Sequence, residues 1–169
     1  MNKSVLARIL LILLLLIWMI FIFAMSSQPA VQSSQTSGRF VYKIINIIYQ
    51  NFEDFSAQQQ ENITHTITFI VRKTAHFLEY FALGTLLAGV AATYDKNFVI
   101  KFVAAQIVGV LYAVSDEVHQ YFVPGRACRF LDVCIDSVGC MCAVVVIAVV
   151  ILIHKRNKSG ELNAKKEIN

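Results

Sequence analysis

The sequence predicts an all-α integral membrane protein, a four-transmembrane-helix bundle with a short amphipathic helix in its first outer loop. Three observations lead there. The 169 residues are 57% hydrophobic and only 15% charged, where an ordinary soluble domain is about a quarter charged. The apolar excess is gathered into blocks of roughly 20 residues, the length that crosses a hydrocarbon core of ~30 Å. The basic residues are uneven, clustering at alternate block ends, so the net charge of +4 says little by itself and no nucleic-acid partner is expected.

The blocks are Val5–Ala24, Ala75–Tyr94, Phe98–Phe122 and Leu131–Ile153, and together they read as one domain over residues 1–169. The first has a basic start and small residues at Ala24-Met25-Ser26, as a signal peptide would, but its apolar run is long and it is read as a retained anchor. Lys3 and Arg8, Lys96 and Lys101, and the tail 154–169 with Lys155, Arg156, Lys158, Lys165 and Lys166 all fall on one side of a four-span chain. The positive-inside rule makes that side cytoplasmic, so both termini are expected inside a bacterial cytoplasmic membrane.

The outer loop, about residues 26–74, opens with a Ser/Gln/Thr run to Ser37 that reads as loop or as a frayed helix end. Phe40, Val41, Ile44, Ile45, Ile48 and Phe52 then recur at helical spacing, which suits a short helix on the outer membrane surface or packed over the loop. Residues 58–74 are expected to begin the helix that becomes the second span. Cys134, Cys140 and Cys142 lie in one apolar run, and with Cys128 they offer no C-x-x-C pair, so they read as packing residues. Tyr112 and Gln106 read as groups that hydrogen-bond between helices, and His65 and His154 as lying outside any site.

Ionisable groups interrupt the spans, although each costs roughly 2.5–3.5 kcal/mol at a helix centre on insertion scales. With the predicted topology all of them fall at outer helix ends. Residues three and four apart share a helix face. Arg72, His76, Glu79 and Tyr80 therefore form one stripe, Asp116, His119 and Gln120 a second, and Asp132 with Asp136 a third. Glu117 lies well round the helix from His119, so at most one of Asp116 and Glu117 shares its face. Arg126 follows the Pro124-Gly125 turn, placed to hold a phosphate or carboxylate bidentately.

The expected catalytic set is His76, Glu79, Asp116, Glu117, His119 and Asp136, because carboxylates fix an imidazole's tautomer and tune its basicity. The expected substrate-binding set is Arg72, Lys73, Tyr80, Gln120, Arg126 and Asp132. His119 is assigned as general base or nucleophile oriented by Asp116, and His76 with Glu79 as its proton partner. Pairing that merely locks the bundle explains single residues such as Asp132 or Arg129 equally well. The pairs His76/Glu79 and Asp116/His119 have the i, i+3 spacing of bundle metal ligands, but order and number do not match a di-iron pattern, so no cofactor is expected.

The motifs carrying these residues are Ser26-Ser27-Gln28, Arg72-Lys73-x-x-His76-Phe77-x-Glu79-Tyr80-x-x-Leu83-Gly84, Ser115-Asp116-Glu117-x-His119-Gln120-x-Phe122-Val123-Pro124-Gly125-Arg126 and Asp132-Val133-x-x-Asp136-x-x-Gly139. At these residues the chain resembles the VanZ-like family of small bacterial membrane proteins, over nearly everything but the basic tail. Ala143, four positions beyond Gly139, is a mild departure. The resemblance implies a cell-envelope setting and a link to resistance against the glycopeptide teicoplanin, without supplying a reaction. Expected partners are a membrane lipid or a lipid-linked envelope precursor, and teicoplanin itself. Three classes of function stay open: an envelope enzyme, a non-catalytic binder of lipid or of the drug's acyl chain, and a proton- or ion-coupled relay. The relay is the poorest fit, since the charges gather at one end.

Overall fold

The computed structural model describes residues 3–168, with side chains for residues 5–33 and 37–160. Five helices follow in order: α1 (Lys3–Ser26), α2 (Ala30–Ile48), α3 (Ala57–Ala92), α4 (Phe98–Tyr121) and α5 (Phe130–Ile168), with a short 3-10 turn at Phe52–Asp54. Four are long and apolar enough to cross a membrane, over Val5–Ser26, Ala57–Ala92, Phe98–Tyr121 and Phe130–Gly160. The fold is an all-α membrane bundle and the protein is multi-pass.

The long helices have local reasons to start where they do. Ser56 opens α3 with a capping box, its side chain accepting from the Gln59 N–H while Gln59 bonds back to the Ser56 N–H. Asn97 caps α4 by accepting from the N–H groups of Val99 and Ile100. At 36 residues, α3 is roughly 54 Å long, so its first turns project beyond a hydrocarbon core.

α3 and α5 run parallel, and α1 and α4 run against them. The core is built from Tyr80, Leu83, Leu87 and Ala88 of α3, Phe102, Ala105 and Ala113 of α4, Cys140 and Val144 of α5, and Ile22 of α1. Gly84 and Gly139 bring α3 and α5 into backbone contact. A Cβ on Gly84 would lie 2.5 Å from the Cys140 carbonyl oxygen, and one on Gly139 would run into the Phe77 carbonyl. α1 is bound into the bundle by polar groups at two levels. Arg8 donates to the Thr93 hydroxyl and carbonyl, Trp18 to the Glu79 carbonyl, and Tyr112 of α4 to the Met19 carbonyl. Gln106 of α4 donates to the Ser137 carbonyl, a further inter-helix bond.

The stretch after α1 departs from the sequence expectation. Its polar run is already helix from Ala30, behind Pro29, whose fixed φ suits a helix start; the side chains of residues 34–36 lie outside the described residues. α2 therefore has 19 residues and is not short. It buries Val41 and Ile45 against Ile63, Ile67 and Val71 of the projecting part of α3. Phe52 joins the same cluster from the 3-10 turn and not from α2, because the chain reverses at Asn51, in the left-handed region with φ 58°. The tail 154–169 continues α5 as helical backbone to Ile168, and the side chains of Lys3, Lys165 and Lys166 lie outside the described residues.

Candidate functional site

The polar residues gather at the end of the bundle where α1 and α4 finish and α5 starts. Two ladders join α3 to α5 in parallel register: Lys73 pairs with Asp132, and one turn on the His76 Nδ1 stands 3.5 Å from Asp136 Oδ1. Neither atom of that second pair has a well-formed hydrogen bond, so the two side chains are close neighbours across the seam. Asp136 is fully buried, and both its oxygens lack a hydrogen-bond partner. His76 thus meets Asp136 and not Glu79, its expected partner.

A second network ties the other chain ends together. Asp116 Oδ2 accepts from the Ser26 hydroxyl and from Gln120 Nε2, both at 3.0 Å. Gln120 Oε1 accepts from Arg126 Nη1 at 3.2 Å, while Arg126 Nε and Nη2 donate to the carbonyls of Gln28 and Met25. Arg126 therefore spends three donors on clamping the loop after α4 to the end of α1. Gly125, at φ 75°, turns that loop, and Pro124 accepts from the Ala30 N–H.

Three expected site residues lie elsewhere. His119 faces α1: its ring stacks on Phe23 at 4.3 Å, and its Nε2 lies 3.0 Å from the Ser27 hydroxyl. That hydroxyl already donates to the Phe23 carbonyl, so His119 is the donor to it and Asp116 does not orient the ring. Glu117 is fully buried under the loop and accepts from the Arg129 N–H at 2.9 Å, an acid at the start of α5 where the helix dipole favours it. Tyr80 is also fully buried, in the core beside Tyr112. None of the three lines either of the two cavities at this end of the bundle, because each helix turns only part of its polar stripe inward.

Asp116 and Asp136 are buried behind the site, and the other expected residues border two cavities with a common wall of Arg72, His76 and Arg126. The first, of about 320 Å³, adds Lys73, Gln120, Asp132 and Arg129, and also His65, which sequence reasoning set aside. The spacing of His65, Phe69, Arg72, His76 and Glu79 along one face of α3 was the signal for it. The second, of about 150 Å³, lies between the end of α1, α2 and α3, with Gln28, Ser33, Ser37 and Glu79 on its walls. Residues 28–37 were missed because their run reads as loop.

In the first cavity the acid, Asp132, is taken by Lys73, which leaves the walls cationic. Arg72 makes no hydrogen bond or ion pair among the described residues. Burial pushes the Arg126 guanidinium below its ordinary value and the neighbouring Arg72 charge adds to that, so an anion between them would relieve both. Among the described residues no group of three or more His, Cys, Asp or Glu is arranged to hold a metal ion.

The family model described as VanZ/LLP1 matches residues 11–152. The chain belongs to the VanZ/LLP1 family. The match runs from within α1 to near the end of the apolar part of α5, so both cavities of this VanZ/LLP1 member fall inside it. No curated protein and no solved structure matches the chain.

Proposed function

We propose that this VanZ/LLP1 member works in the bacterial cell envelope on a lipid-linked or phosphate-bearing substrate and contributes by that route to glycopeptide (teicoplanin) resistance. The observation that carries the reading is Arg72, a cation without a hydrogen-bond or ion-pair partner among the described residues, on the wall between two cavities and beside a second guanidinium. Guanidinium forks match the oxygens of a phosphate. His76, with Asp136 behind it, is the group placed to take or give a proton at that anion, and Lys73 and Arg129 supply further positive charge.

Membrane placement follows from charge. Nine of the 15 Lys and Arg residues lie at the end carrying Arg8, Lys96 and the tail, against six at the end carrying the cavities. By the positive-inside rule the site opens outward from the cytoplasmic membrane and both termini are cytoplasmic.

The test uses Arg72→Gln and His76→Ala, expressed at the level of the unaltered chain. Both are expected to lower teicoplanin resistance and to change the envelope lipid profile. Resistance and lipids that stay as they were would defeat the proposal. A second reading, in which the protein holds a lipid or the teicoplanin acyl chain without chemistry, draws on the exposed apolar Phe40, Ile47 and Ile48 of α2. Binding of teicoplanin, with no binding of the unacylated vancomycin, would favour it.

A further inference from the structure

The two cavities share the wall of Arg72, His76 and Arg126 and differ in what else lines them. The first is cationic. On the second, Glu79 has a carboxylate with no hydrogen bond or ion pair among the described residues. Gln28 spends its Nε2 on the Met25 sulfur and leaves Oε1 buried without a donor on the same wall. Arg72 and Glu79 are seven residues, about 10 Å of helix rise, apart along α3. The charges of both act on Arg126, which stands between the cavities. A lone phosphate is too small to satisfy both ends, and a buried acceptor left unpaired costs about 1–3 kcal/mol.

We infer that the paired cavities select a phosphodiester head group whose alcohol portion carries an N–H or O–H donor. The phosphate lies against Arg72 and Arg126 in the first cavity, and the donor passes His76 to reach Glu79 and Gln28 Oε1 in the second. The inference rests on the phosphate-bearing substrate proposed above and names its class: an amino-alcohol or polyol phosphodiester, as in the head groups of ethanolamine and glycerol phospholipids. A choline head group has the same phosphate and a cation of the same sign but no N–H to donate, so it fills the first cavity and leaves the acceptors of the second unmet.

The purified full chain in detergent, titrated calorimetrically with dihexanoyl phosphatidylethanolamine, phosphatidylglycerol and phosphatidylcholine, tests this. The first two are expected to bind about tenfold more tightly than the third, the scale of one charge-assisted hydrogen bond. Glu79→Leu brings them down to the choline lipid, whereas Arg72→Gln weakens all three. If Glu79→Leu does not fold, the isosteric Glu79→Gln carries the test, with the ethanolamine lipid moving toward the choline lipid. Inorganic phosphate and free phosphoethanolamine complete the set. Free phosphoethanolamine binding as tightly as the lipid would assign the site to a soluble phosphodiester or monoester and overturn the lipid source. Equal binding of the three lipids, indifferent to Glu79, overturns the inference and leaves the phosphate reading standing. Absence of binding by every probe removes both.

Discussion

Replacing Gly84 by alanine places a methyl group between two helices that already meet through their backbones. The new Cβ would stand 2.5 Å from the Cys140 carbonyl oxygen, 2.9 Å from its Cα and 3.0 Å from the Ala143 Cβ. Ordinary contact begins at 3.4 Å, so α5 must retreat from α3 by about 0.9 Å, and what it meets is backbone with no flexible end to swing aside. Overpacking costs about 1–3 kcal/mol, and a clash with unyielding backbone puts this one at about 2–3, against which alanine's better helix propensity returns about 1 kcal/mol. The net loss is about 1–2 kcal/mol, or roughly 2–8 °C in melting temperature for a chain of this size. The same retreat acts on the site, because α3 and α5 also carry the His76–Asp136 pair, now at 3.5 Å. Gly38 of α2 is the control: a Cβ there meets nothing within 4 Å, so Gly38→Ala should stabilise by about 0.5–1 kcal/mol. Thermal unfolding in detergent, followed through the single tryptophan, reads both. A Gly84→Ala protein as stable as the unaltered chain would refute the close-packed α3–α5 seam.

Lys73→Met leaves the Asp132 carboxylate without its cation, so it should unfold more easily than the double variant Lys73→Met/Asp132→Leu; a double variant that is worse than the single would show that Asp132 stabilises the bundle through contacts other than Lys73. Ser56→Ala removes the cap of α3 and should cost about 0.5–2 kcal/mol, seen as faster amide exchange over its first turns; unchanged exchange there would remove the cap from the account. His119→Ala loses the stack on Phe23, about 0.5–1.5 kcal/mol of stability, but should leave phosphate affinity alone, whereas His76→Ala should weaken it; a loss of affinity in both would return His119 to the site.

The spans were legible because water and lipid act on composition. Runs such as Leu10–Ile17 have nowhere else to go, and the four apolar blocks fall on α1, α3, α4 and α5, with α3 starting well before its block at Ala57 and α5 continuing well past its own to Ile168. Helical spacing also placed Arg72, His76 and Glu79 on one face of α3. It failed at residues 30–37, where Ser and Gln carry no apolar period; that stretch is helix because the hydrophobic face farther along α2 docks on α3, and its backbone follows. Periodicity gives a residue's angle on its own helix and nothing about which neighbour it meets. Asp116 was read with His119 on that basis, yet the end of α1 lies between their directions, and Ser26 takes one while Ser27 takes the other.

By itself, then, the sequence determined the membrane class, the helices, the family motifs and the end of the bundle where charge collects, all properties of single segments in a solvent. Tertiary structure alone decided which stripes face each other. It set His76 against Asp136, spent three Arg126 donors on the loop clamp, sank Tyr80 into the core and Glu117 under the loop, and left Arg72 without a hydrogen-bond or ion-pair partner among the described residues. Those outcomes depend on helix rotation and register, and they are fixed at Gly84 and Gly139, where two backbones touch and no side chain intervenes.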